Sequence, residues 1–123
     1  MEDAKLARYL GNLKGAETSY PFGPEVLVYK IKGKMFALIT ENEKGCRVNL
    51  KAQPNDVEVL VDEFVAITPG YHMNKRHWIT VQLGGDVPAN MVEDLASQSY
   101  VLVVSKLTKK LQLELEQLAH VYK

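Results

Sequence analysis

Cysteine is the scarcest resource in this sequence, with Cys46 alone among 123 residues. A single thiol forms no intramolecular disulfide, and with neither a CxxC nor an HExxH pattern present there is no compact metal motif. Long apolar runs are missing too. The longest, such as residues 101–104, fall far short of the ~20 that cross a bilayer, so no spanning helix is expected. No basic leader followed by an apolar run is found, and a cytoplasmic location is the expectation. Net charge is also absent, with 15 Lys and Arg against 15 Asp and Glu, which argues against capture of nucleic acid by overall attraction. Repeats, linkers and low-complexity tracts are lacking as well, which leaves one domain over residues 1–123.

What is present is an ordinary globular composition, 46% apolar and 24% charged. A chain of this length buries about two-thirds of its unfolded surface without help from disulfides or metals. The zero total charge conceals a pattern. Residues 26–51 hold Lys30, Lys32, Lys34, Lys44, Arg47 and Lys51 against Glu41 and Glu43, while residues 52–64 hold only the acids Asp56, Glu58, Asp62 and Glu63. Lys75 and Arg76 then precede a second acidic stretch with Asp86, Glu93 and Asp94. Basic strands alternating with acidic helices predict a polarised molecule.

Hydrophobic periodicity supplies the elements. Leu6, Tyr9, Leu10 and Leu13 recur at helical spacing behind Glu2 and Asp3, and Gly15 is read as the stop. The turn YPFGPE over residues 20–25 is stiffened by its prolines, with Phe22 expected to pin it to the core. Residues 26–31 and 35–39 are β-rich runs separated by Lys-Gly-Lys, and Gly33 suits a tight hairpin. Leu27, Tyr29 and Ile31 fall on one face and Val26, Val28, Lys30 and Lys32 on the other. In the next strand, residues 46–51, Cys46, Val48 and Leu50 point inward while Arg47, Asn49 and Lys51 point outward.

A short helix follows over residues 53–64, presenting Val57, Leu60, Val61 and Phe64 inward and its acids to solvent. A short strand near residues 65–68 leads into the loop HMNKRH, and a strand over residues 78–83 puts Ile79, Val81 and Leu83 inward and Trp78, Thr80 and Gln82 outward. From Pro88 the pattern is helical, with Val92, Leu95, Ala96, Ser99, Leu102 and Val103 on one side; the strand-prone residues 101–104 leave its end open. Thr108 can cap a last helix carrying Leu111, Leu115, Leu118 and Tyr122. The predicted class is α+β, an antiparallel sheet of about five strands in the order α-βββ-α-ββ-α-α, with helices on one face and the other at least partly open.

The chain is organised around TPGYHMNKRHWITVQL, residues 68–83, where His72, Asn74, Lys75, Arg76, His77 and Trp78 crowd together with no acid among them. This block, with YPFGPEVLVYKIKGKMFALI, RVNLKA and SYVLVVSKL in that order, resembles the MmcQ/YjbR family of small bacterial proteins over nearly the whole length. The resemblance implies a single α+β domain similar to the frataxin-like (CyaY-like) and secretion-chaperone-like architectures. It also implies the family's double-wing DNA-binding arrangement. By that analogy the first wing is the hairpin bearing Lys30, Lys32 and Lys34, and the second is the segment from His72 to Trp78. One departure from the family pattern is the absence of Asp or Glu just after Pro88, which weakens the cap of the following helix.

Phosphates call for cations, and base edges call for planar bidentate groups. Lys30, Lys32, Lys34, Lys51 and Lys75 are candidate phosphate partners, Arg47 and Arg76 candidate forks, and Asn49 and Asn74 candidate base readers, with His77 and Trp78 beside them. Lysines along a sheet also serve simply to keep it soluble. Trp78 either stacks on a base or packs as structure with its N–H bonded to backbone. His72 and His77, five apart, face opposite sides of a continuous strand, and no activated Ser, Cys or carboxylate lies near either. The expectation is a monomeric, non-enzymatic protein without cofactor or metal. It holds duplex DNA with two basic loops while its acidic helices point away; the alternative is a protein-interaction module using the open sheet face.

Overall fold

The computed structural model describes residues 2–70 and 74–121. His72 and Tyr122 lie outside the described residues. The chain runs α1 (Glu2–Gly11), β1 (Ala16–Ser19), β2 (Val26–Ile31), β3 (Lys34–Asn42), β4 (Gly45–Lys51), α2 (Pro54–Glu63), β5 (Ile67–Pro69), β6 (Trp78–Gln82), α3 (Ala89–Ser105) and α4 (Lys109–Val121). The strands form one antiparallel sheet in the order β1-β2-β3-β4-β6-β5. Among the described residues no helix is long and apolar enough to cross a membrane.

The α+β class and the helical layer on one face follow the sequence pattern. Leu6 and Leu10 of α1, Val57 and Leu60 of α2, Val92, Leu95 and Val103 of α3, and Leu115 of α4 all join one core with Tyr29, Ile31, Val48, Leu50, Ile79 and Val81 from the strands. Full burial of each such side chain contributes about 1.5–3 kcal/mol before ordering entropy is subtracted. On the other face Val28, Leu38 and Trp78 form a small second cluster with Val26 and Met35 at its margin, built from strand residues alone.

The β2–β3 hairpin closes on Lys32 and Gly33, both at positive φ, 50° and 80°. That pair of left-handed residues matches the twist of the flanking strands. Close to the turn the register slips between Tyr29 and Lys30, leaving Phe36 as an extra residue on β3. A bulge of this kind frees a carbonyl from the ladder. Ser99, fully buried on α3, answers it: its hydroxyl donates to the Phe36 carbonyl at 2.5 Å and accepts the Lys51 backbone N–H at 2.8 Å. One side chain thus ties the long helix to the start of β3 and the end of β4.

Several expectations need correction. The sheet has six strands, since β1 adds an edge beyond β2; its sequence AETS has no apolar alternation because it pairs through backbone while three of its four side chains are exposed. Helix α1 stops at Gly11, and Gly15 instead turns the chain into β1 at φ +76°, where an added Cβ would meet Leu115 at 2.6 Å and Ile31 at 2.8 Å. Phe22 does not pin its turn, being 64% exposed beside an exposed Tyr20. Residues 101–104 are helical, because Val103 belongs to the buried stripe of α3. The weak cap is as expected: Pro88 precedes α3 with no side-chain cap and no acid in the first turn.

Candidate nucleic-acid interface

The sheet has two ends of different character. At the hairpin end lie the β2–β3 turn, the last residue of β4 and the first of β6, with Lys51 and Trp78 as register partners. The end of α3 also arrives there. Lys34, Met35, Lys51, Trp78, Val103, Lys106 and Leu107 line a hollow of about 360 Å³. Its cations come from three elements, its floor is apolar, and no acid lines it.

At the opposite end, around the β3–β4 turn, a larger hollow of about 820 Å³ holds Arg47 and Lys44 together with Glu25, Glu41 and Glu43. Here acids outnumber cations. Nearby, the Asp86 carboxylate accepts the backbone N–H groups of Val65 and Ala66 at 2.8 and 2.9 Å, clasping the approach to β5 onto the turn after β6. Those N–H donors, Ala66 first and Val65 second, hold the Asp86 carboxyl below its ordinary range, as hydrogen bonds to the charged form do.

Lys32, expected on the open face with Lys30, turns instead to the helical side, where its ammonium meets the Glu114 carboxylate of α4 at 2.8 Å. The left-handed backbone at Lys32 breaks the strand alternation and redirects the side chain. The bond and charge of Lys32 keep the Glu114 carboxyl below its ordinary range. Lys30 is half-buried and stands opposite Glu17 of β1 and Met35 of β3.

Asn49 is half-buried and is engaged across the sheet, its Oδ1 accepting the Thr80 hydroxyl at 2.7 Å. In the loop before β6, the Asn74 Oδ1 accepts the Arg76 backbone N–H at 3.0 Å, and its carbonyl accepts that of His77 at 3.1 Å. Asn74 therefore shapes its own turn, as Asx side chains do. His77 is half-buried, and its carbonyl accepts the Ala52 N–H at 2.9 Å. Lys75 and Arg76 are exposed, yet they share a hollow of about 590 Å³ with Glu58 and Asp62 of α2. The expectation that the acidic helices point away from the second wing is corrected here, because α2 packs on β5 and β6 and brings its acids alongside. Trp78 is only 8% exposed and packs with Val28 and Leu38, in keeping with the structural reading of this side chain, and its remaining edge lines the hollow.

The YjbR family model matches residues 11–102. The chain belongs to the YjbR family. Among relatives, YbdF of Escherichia coli O157:H7 is 42% identical over 94 residues, covering 76% of this chain and 77% of that protein. YjbR of Escherichia coli K12 is 31% identical over 110 residues, 89% of this chain and 93% of its own. Among solved structures, the DUF419 domain protein DR2400 of Deinococcus radiodurans superposes with a TM-score of 0.86 at 37% identity, covering 93% of this chain and 87% of that one. A Pseudomonas syringae protein gives 0.73 at 28% identity, over 83% and 98%.

Within this YjbR-family fold, the structure gathers Lys34 and Lys51 around Trp78 and leaves Arg47 at the far end of the sheet. Sequence reading missed Lys106 and Ser99. Lys106, the C-cap of α3, reads along the chain as a cation favoured by a helix C-terminus, and only the packing of α3 on β3 and β4 carries it to the hollow. Ser99 was placed on the buried side of its helix, but its two backbone partners come from strands far away in sequence. Among the described residues no three His, Cys, Asp or Glu side chains are grouped to hold a metal.

Proposed function

We propose that this chain is a non-enzymatic nucleic-acid-binding protein of the cytoplasm, acting as a monomer and holding duplex DNA by its phosphates at the hairpin end of the sheet. The observation that carries this reading is the hollow where Lys34, Lys51 and Lys106 converge with no acid in its lining. The first wing contributes Lys34, with Lys30 further along β2. The second wing contributes Lys75 and Arg76 as a rim whose charge is partly offset by Glu58 and Asp62. Few cations are free to act, so affinity is modest and depends steeply on salt.

Titration of a labelled duplex at two salt concentrations tests this. Log affinity should fall against log salt with a slope of about 0.9 for each phosphate neutralised. Replacing Lys75 and Arg76 by Ala should lower that slope and weaken binding, while stability stays within about 0.5 kcal/mol, as for most surface substitutions. Absence of binding at low salt, or binding that ignores salt, would sink the proposal. A protein partner is the second reading, favoured by one observation: Tyr20 and Phe22 project 56% and 64% exposed from a proline-stiffened turn. Exposed aromatics on a rigid support are what protein interfaces recruit.

A further inference from the structure

The hollow at the hairpin end has a shape and composition that a duplex backbone alone does not call for. A duplex is held by cations strung along a groove. Here the cations line one half-open hollow of about 360 Å³, within the range of about 300–1,000 Å³ typical of small-ligand sites. Its floor, Met35, Trp78, Val103 and Leu107, gives a phosphate nothing to bond to, but it offers apolar contact to a flat ring. We propose that this hollow is a binding site for a nucleoside monophosphate group, with Lys34, Lys51 and Lys106 on the phosphate and the base or sugar against Met35 and the rim of Trp78. The group is either a free nucleotide or the phosphorylated end of a strand. The proposal rests on the nucleic-acid reading for the strand end and stands without it for the free nucleotide.

The frame holding the lysines is fixed from three directions. Lys51 has its backbone N–H on the buried Ser99 hydroxyl. Lys34 is paired into the hairpin opposite Ile31. Lys106 closes α3, its N–H bonded back to the Val103 and Val104 carbonyls. Helix polarity accounts for a cation at Lys106 but not for Lys34 and Lys51 converging on it. A phosphate dianion held in this hollow would place its charge among three cationic side chains. Each ammonium–phosphate hydrogen bond is charge-assisted.

Trp78 is the only tryptophan in the chain and lines the hollow, so its fluorescence reports directly on occupancy. Adenosine monophosphate is titrated into the full chain, with adenosine and inorganic phosphate as controls. Saturable perturbation of Trp78 by the nucleotide is expected, with both controls weaker. Lys106→Gln and Lys51→Gln should each lower nucleotide affinity by about tenfold or more, the loss of one hydrogen bond to a charged group. Lys44→Gln at the other end of the sheet should leave it unchanged, and thermal unfolding confirms that each variant is folded. No response to the nucleotide, or an equal response in the Lys106 and Lys51 variants, overturns the site. Strands of one sequence with and without a terminal phosphate then identify the source. Tighter binding of the phosphorylated strand assigns the site to a strand end, and equal binding with the nucleotide response retained assigns it to a free nucleotide. Duplex binding without any nucleotide response overturns the site and leaves the general reading standing; nucleotide binding without oligonucleotide binding does the reverse.

Discussion

The two ends of the sheet are fastened by different chemistry, and the difference bears on which of them can act. At the hairpin end a buried, uncharged hydroxyl, Ser99, joins α3 to two strands. Cations are left over at the surface there. At the opposite end an exposed carboxylate, Asp86, clasps two backbone N–H groups, and Arg47 sits among glutamates. Apart from the Lys32–Glu114 pair at the hairpin tip, the fastening there uses no charge, and Lys34, Lys51 and Lys106 line a hollow without acids. An end whose charges are matched by its own acids is already satisfied. The same strands therefore carry a surface suited to an anion at one end and a self-compensated one at the other.

The largest break in this comparison should come from Trp78. It anchors the helix-free face at the hairpin end, packed on Val28 and Leu38, and removing it leaves a void over fully buried Val28. Trp78→Ala should cost about 3 kcal/mol, the lower end for aromatic truncation because the site lies near the surface. Urea denaturation measures it. A loss below about 1 kcal/mol would mean the ring is dispensable to the fold and would leave contact as its role.

Ser99→Ala is the next step down. It strands the Lys51 N–H and the Phe36 carbonyl in the interior, at a cost of about 1–3 kcal/mol for the unsatisfied groups. The comparison predicts more than a uniform loss. Amide exchange should quicken around Lys51 and the β3 bulge while the Val65 and Ala66 amides hold their protection. Equal loosening at both ends would show that Ser99 supports the core as a whole.

How much of this was legible beforehand depends on what the residues do for the fold. Strands β2 to β4 and β6 and helix α3 could be read because their buried side chains repeat at a fixed period, and the period survives packing. Strand β1 could not, since its edge role is carried by backbone bonds that no side-chain pattern records. Lys32 misled because two left-handed residues at the turn redirect it, and a lysine carries no mark of its partner. Lys51 was recognised as a candidate contact from strand alternation, and Lys34 from its place in the hairpin that the family resemblance makes the first wing. Their meeting with Lys106 required the docking of α3, a contact between residues more than fifty positions apart. Asn49 and Asn74 have the right chemistry for base edges, but a cross-strand bond from Thr80 engages the oxygen of the first and a turn of its own loop that of the second.

The smallest expected effect is the most selective. Hydrogen bonds from Ala66 and Val65 lower the carboxyl of Asp86 below its ordinary value of 3.8. A carboxyl lowered on folding contributes stability that is fully present above its unfolded value and is lost as pH falls through the folded one. Lys32 lowers Glu114 below 4.5 in the same way, but that pair is half-exposed and partly screened by solvent. Ser99 does not titrate in this range. Acidification from neutral pH to below 3.8 should therefore reduce the protection factors of the Val65 and Ala66 amides, which divide out the intrinsic pH dependence of exchange, and leave that of Lys51 unchanged. Asp86→Asn should weaken the same two amides at neutral pH and remove their acid sensitivity, since an amide oxygen accepts without charge. If the variant and the parent respond to acid alike, the clasp at the acidic end is not held by Asp86, and the contrast between a titrating clasp and the non-titrating Ser99 fails.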